Sequence, residues 1–193
     1  MHKSRLEAFS DGVFAILITI MVLELKVPTG NTWESLFPLS HIFLSYVLSF
    51  IYLGIYWNNH HHLLQITKSI HGVSLWANTH LLFWLSLIPF ITAWNGESNF
   101  SGFPVTLYGF ILLMCGFAYW VLVQVLVKKH GKNSDLAKAL GSDLKGKASL
   151  ILYFLAILVS FWFTSIAIFI YIIVAIMWLI PDGRIEKKLL PTI

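Results

Sequence analysis

Long apolar runs separated by short polar connections set the pattern of this chain. They cover residues 9–27, 37–64, 73–93, 103–127 and 150–180. A bilayer core takes about 20 predominantly apolar residues per helix, with a range of roughly 17–25, so each of the first four runs predicts one membrane span. The last run holds 31 residues without one charged side chain. As a single helix it would be roughly 46 Å long at 1.5 Å per residue, more than tilt absorbs comfortably across a core of about 30 Å. Dividing it near Ser160–Ser165 gives two short spans in a tight hairpin and six in all. The predicted fold class is an all-α membrane protein, one six-helix transmembrane domain over residues 1–193.

Composition agrees with the pattern. Of 193 residues, 58% are hydrophobic and 11% charged, less than half the roughly 25% charged content of a soluble domain. No stretch is long enough for a sizeable soluble domain. The net charge of +4 does not predict nucleic-acid binding, because the basic residues lie in short connections and at the termini. Their distribution fixes the expected topology, since Lys and Arg concentrate on cytoplasmic connections. With the N-terminus inside and six spans, Lys3, Arg5, Lys68, Lys128, Lys129, Lys132, Lys138, Lys145, Lys147, Arg184, Lys187 and Lys188 fall inside and only Lys26 outside. Five spans would send Arg184, Lys187 and Lys188 outside. Both termini are therefore expected in the cytoplasm. Residues 128–147, with six lysines and three glycines, are expected to form a solvated cytoplasmic loop with a short surface helix; contact with anionic lipid head groups is the alternative. The basic-then-apolar N-terminus has no small-residue cleavage site and is expected to be retained. Cys115 stands alone in an apolar run, so it is expected in packing. Eight Trp and seven Tyr suggest interfacial belts.

The first run opens Arg5-Leu6-Glu7-Ala8-Phe9-Ser10-Asp11-Gly12. Ionisable groups at that depth are costly against lipid and face protein or water, which predicts an inner, working helix. At 100° per residue, Arg5, Phe9, Gly12, Ile16, Ile20, Leu23 and Val27 fall within about 40° of one line, with Thr19 roughly 60° to one side. Ser10 and Asp11 lie far from that line. One stripe is thus apolar and ends in Arg5, while another face carries polar groups that need partners. Such a stripe suits packing against neighbouring helices or the lining of a pore, and the pattern leaves both open.

The second run carries Trp57-Asn58-Asn59-His60-His61-His62. Imidazole ligates several transition metals, but consecutive histidines point about 100° apart on a helix. His2, His41, His71, His80 and His130 are scattered singly, so no metal site is expected. Hydrogen bonding is the better expectation, with His60 or His61 sharing a face with Trp57 at i, i+3 or i, i+4 and meeting Ser10 and Asp11 at the same depth. Pro89 in Leu87-Ile88-Pro89-Phe90 predicts a break in the third span, tolerable where neighbours satisfy the freed carbonyl. No phosphate-cradling loop, nucleophile elbow or catalytic carboxylate pair is present, so neither enzymatic activity nor a cofactor is expected. A secondary transporter or a non-conducting membrane scaffold remains the alternative to a channel, although midplane ionisable residues and matched broken helices are nearly absent.

Arg5 followed by Phe9-Ser10-Asp11 at the start of the first helix resembles the RxxxFSD signature of the bacterial relatives of transmembrane protein 175, the endosomal and lysosomal potassium channel family. Trp57 with His60-His61, and Leu87-Ile88-Pro89-Phe90, extend the resemblance over essentially all of the chain as one six-helix repeat. The resemblance implies a homotetramer in the bacterial cell membrane, a central pore lined by the first helix, and modest selectivity for potassium over sodium with potassium as the permeant ion. No carbonyl-lined filter sequence of the TVGYG type occurs. The implied constrictions are apolar rings at Ile16 and Leu23 with Thr19 or Ile20 between them. Arg5, Phe9, Ser10, Asp11, Trp57, His60 and His61 are the implied network that packs the pore helix.

Overall fold

The computed structural model describes residues 3–131, 134–141 and 143–179. Among these residues every regular element is helical. The elements are α1 (Lys3–Leu23), a 3-10 helix (Trp33–Leu39), α2 (Ser40–Ile66), α3 (Gly72–Ser86), α4 (Ile88–Glu97), α5 (Gly102–His130), α6 (Asp135–Leu140), α7 (Leu144–Ser160) and α8 (Thr164–Leu179). Four stretches are long and apolar enough to cross a membrane: Lys3–Leu23, Trp33–Ile66, Gly72–Glu97 and Gly102–His130. The helix Thr164–Leu179 is apolar but shorter.

The boundaries follow local chemistry. The first helix ends at Leu23 and not at Val27, closed by a tight turn from Leu25 N–H to the Val22 carbonyl at 3.2 Å. Pro28 disfavours helical backbone at Val27, which removes Val27 from the stripe. The second run is delayed in the same way: Pro38 sits in the 3-10 helix, and the α-helix begins at Ser40. The third span breaks where Pro89 predicts. There α3 stops at Ser86, Leu87 N–H turns back to the Trp84 carbonyl at 3.2 Å, and α4 starts at Ile88. The long last run divides at residues 161–163 into α7 and α8, which pack against each other.

The segment 128–147 is more helical than expected. Lys128, Lys129 and His130 form the last turn of α5, and Lys145 and Lys147 lie in the first turn of α7. Between them α6 is capped by Ser134 Oγ, which accepts from Ala137 N–H at 3.2 Å, and tucks Leu136 into the core. Lys132, Arg184, Lys187 and Lys188 lie outside the described residues.

The core forms where α2, α3, α4, α5, α7 and α8 meet. Cys115 is wholly buried there. The tyrosines depart from an interfacial belt: Tyr52, Tyr56, Tyr108, Tyr153 and Tyr171 are all buried. Tyr108 OH shares a hydrogen bond with Ser49 Oγ at 3.0 Å, Tyr52 OH donates to the Tyr171 carbonyl at 2.5 Å, and Tyr171 OH donates to the Val105 carbonyl at 3.2 Å. A buried Tyr needs such a partner for its hydroxyl, and helix carbonyls and serines supply it where water is absent. Small residues set the closest approaches. A Cβ on Gly96 would lie 2.7 Å from Ile42 Cα, so glycine is what lets α4 rest on α2.

Candidate functional site

The first helix has two chemically distinct faces. Leu6, Ser10, Phe14, Leu17 and Met21 recur at helical spacing and are buried against α2, α3 and α4. The opposite face carries Arg5, Phe9, Gly12, Ile16, Thr19, Ile20 and Leu23, all exposed. Ile16 keeps 59% and Leu23 76% of their surface, so the apolar stripe does not pack within its own chain. Thr19 Oγ donates to the Ala15 carbonyl at 2.8 Å, which leaves the hydroxyl lone pairs on the exposed side.

The buried face is fixed by a polar network that runs from α1 to α2 and α3. Ser10 Oγ donates to the Leu6 carbonyl at 2.9 Å and accepts from Asn78 Nδ2 at 3.0 Å. Asn78 Oδ1 lies 2.7 Å from His60 Nε2. Because the amide nitrogen of Asn78 faces Ser10, His60 Nε2 is the donor, and the ring's other nitrogen, Nδ1, has no partner among the described residues. Ser10, His60 and Asn78 are each fully buried. The His60 ring also packs on Phe14, with centroids 5.9 Å apart.

A second, more exposed layer lies beside it. Trp57 Nε1 donates to Asp11 Oδ1 at 3.0 Å. His61 stacks on Trp57 with centroids 6.0 Å apart, approaches Glu7 Oε1 through Nδ1 at 3.4 Å, and meets Gln65 Nε2 at 2.7 Å. Lys3 Nζ reaches the Gln65 carbonyl at 3.3 Å. Both acidic side chains of the first three turns are thereby turned toward α2, away from the stripe.

The structure thus brings together Ser10, Asp11, Trp57, His60 and His61. It leaves Arg5 and Phe9 outside that network, on the exposed face with Ile16. Their separation follows from the helix: Arg5 and Phe9 lie four residues apart on the stripe line, whereas Ser10 is rotated 100° from Phe9. Two members escaped the sequence. Asn78 lies in a third helix, and no local spacing ties it to Ser10 or His60. Glu7 was visible as a charge, but its pairing with His61 depends on how α1 docks. Among the described residues, no three His, Cys, Asp or Glu side chains come together as a metal site.

These features define a helical membrane protein whose first helix is tied down by a buried polar network and presents a free apolar stripe. The family model for the endosomal/lysosomal potassium channel TMEM175 matches residues 5–89, which contain α1 from Arg5 onward and nearly the whole network. A potassium channel of Chryseobacterium sp. is 57% identical over 189 residues, covering 98% of both chains. The human endosomal/lysosomal proton channel TMEM175 is 33% identical over 117 residues, 54% of this chain and 23% of that protein. The crystal structure of a lysosomal potassium-selective channel TMEM175 homologue from Chamaesiphon minutus superposes with a TM-score of 0.76 at 27% identity, covering 92% of this chain and 96% of that one. The chain belongs to the TMEM175 family of membrane channels.

Proposed function

We propose that this chain assembles as a homotetramer around a central pore lined by α1 and conducts potassium with modest preference over sodium. In this arrangement α7 and α8 are the fifth and sixth spans, both termini are cytoplasmic, and the protein resides in the bacterial cell membrane. The observation that carries the reading is the exposed stripe Ile16, Thr19, Ile20 and Leu23 on a helix whose other face is anchored. A stripe facing only lipid would not need so many polar ties on the opposite side to hold its rotation. The close likeness to proteins named potassium channels supports the choice of ion.

Ile16 and Leu23 supply hydrophobic collars at the fourfold axis, and such collars gate by dewetting. Thr19 and Ile20 lie between them. The Thr19 hydroxyl, already donating to Ala15, offers lone pairs that replace part of a cation's hydration shell. No acidic ring lies between Ile16 and Leu23, so discrimination follows dehydration energy and favours potassium over the more strongly hydrated sodium. No cofactor takes part. The test is the reversal potential of the purified protein in liposomes under opposed potassium and sodium gradients. A shift toward the potassium equilibrium potential is expected; a preference for sodium or chloride refutes the mechanism. Flux per protein far above a carrier's turnover separates a channel from a transporter or a scaffold.

A further inference from the structure

Among the described residues, an exposed charge without a partner in its own chain stands at each end of the stripe, and the two are of opposite sign. At the inner end, Glu7 is engaged with His61 and Asp11 with Trp57, both directed away from the stripe. Arg5 stays exposed and makes no hydrogen bond or ion pair with the described residues. At the outer end, Glu24 directly follows Leu23 and is exposed in the closing turn. The nearest basic residue in sequence, Lys26, is taken up by Glu97 of α4. Glu24 has no partner among the described residues.

Eighteen helical steps from Arg5 to Leu23 put the two ends of the stripe about 27 Å apart, with Glu24 in the turn just beyond. Exposed charges are screened over about 10 Å at 0.1 M salt. Each mouth therefore responds to its own ring and not to the other. Rings of like charge at a pore mouth change the local concentration of permeant ions and so the rate of entry.

We propose that Glu24 and Arg5 make conduction directional, with potassium entering more readily from the Glu24 end than from the Arg5 end. This inference rests on the pore proposed above. A difference in potential between the mouths of about one thermal energy unit gives a roughly two- to three-fold difference in local cation concentration.

The experiment is single-channel recording of the full chain in planar bilayers with symmetrical KCl. Sidedness is assigned through Glu24→Cys: a membrane-impermeant thiol reagent carrying a negative charge restores the lost charge only from the chamber facing this end, and modification from that chamber alone identifies the Glu24 side, since the native Cys115 is buried. At 0.1 M KCl the unitary current driven from the Glu24 side should exceed the opposite current by about two-fold, and the asymmetry should shrink at 1 M, where screening acts over about 3 Å. Arg5→Gln should reduce the asymmetry by raising entry from its own side, and Glu24→Gln should reduce it by lowering entry from the other. Equal currents in both directions at 0.1 M, or an asymmetry unchanged by both substitutions, overturns the inference while leaving the pore intact. Wild-type protein that carries no potassium current overturns the pore and the inference together.

Discussion

Replacing Asn78 by leucine isolates the part of the network that is wholly buried. Asn78→Leu removes the donor to Ser10 Oγ and the acceptor for His60 Nε2 while roughly keeping side-chain volume. Ser10 keeps its bond to the Leu6 carbonyl. His60 fares worse: Nδ1 already lacks a partner, so the substitution leaves the whole ring without one at zero exposure. Leaving a buried donor unsatisfied costs about 1–3 kcal/mol, whereas side-chain hydrogen bonds between membrane helices average only about 0.6 kcal/mol because the unfolded chain in lipid also finds partners. Two bonds lost at one residue therefore predict a loss of about 1–3 kcal/mol. The second substitution is His60→Phe, which keeps an aromatic ring against Phe14. Each single variant should lower the midpoint of thermal unfolding in detergent, followed by size-exclusion chromatography. The double variant should recover much of the loss, since removing both partners at once leaves no buried imidazole to satisfy, and contacting residues typically couple by about 0.5–3 kcal/mol. Strict additivity would show that Asn78 and His60 are not coupled, and an Asn78→Leu variant as stable as wild type would show that the bonds made by Asn78, including the one to Ser10 of α1, contribute nothing measurable.

Ile16→Asn should wet the proposed collar, raising basal potassium flux from liposomes and flattening the preference over sodium; a wild-type flux would place the constriction elsewhere. Trp57→Phe keeps a ring against His61 but deprives Asp11 of its donor, and should lower stability by roughly 1 kcal/mol, read from the same thermal assay. Gly96→Ala introduces a Cβ that meets Ile42 backbone at 2.7 Å, and should cost about 1–3 kcal/mol by forcing α4 off α2; unaltered thermal stability would show that the helices have room to part.

Much of the helical layout could be read from local signals. Run length located four spans, a proline marked the break between α3 and α4, and excess length demanded the division that falls at residues 161–163. These features depend on properties of a few neighbouring residues. The tyrosines show the limit. A polar aromatic in an apolar run suits either the head-group level or the interior, and the choice depends on whether another helix brings an acceptor. Here Ser49 and the carbonyls of Tyr171 and Val105 do so, over sequence separations of 59 to 119 residues. Asn78 was illegible for the same reason: its partners are 68 and 18 residues away, on two other helices.

The first helix joins these two kinds of information. A 3.6-residue period divides it into two faces, yet both are largely apolar, so periodicity alone does not say which one the chain buries. The polar residues break the tie. Ser10 has no short route to water once α3 lies against it, and Asp11 is met by an indole N–H from α2. Burying Ser10 and Phe14 against α2 and α3 fixes the rotation of α1 and obliges Ile16 and Leu23, on the opposite side, to remain uncovered. The signature residues therefore divide the work. Ser10 and Asp11 orient the helix from within, while Arg5 and Phe9 travel with the free stripe and are available only to lipid, to ions or to another copy of the chain.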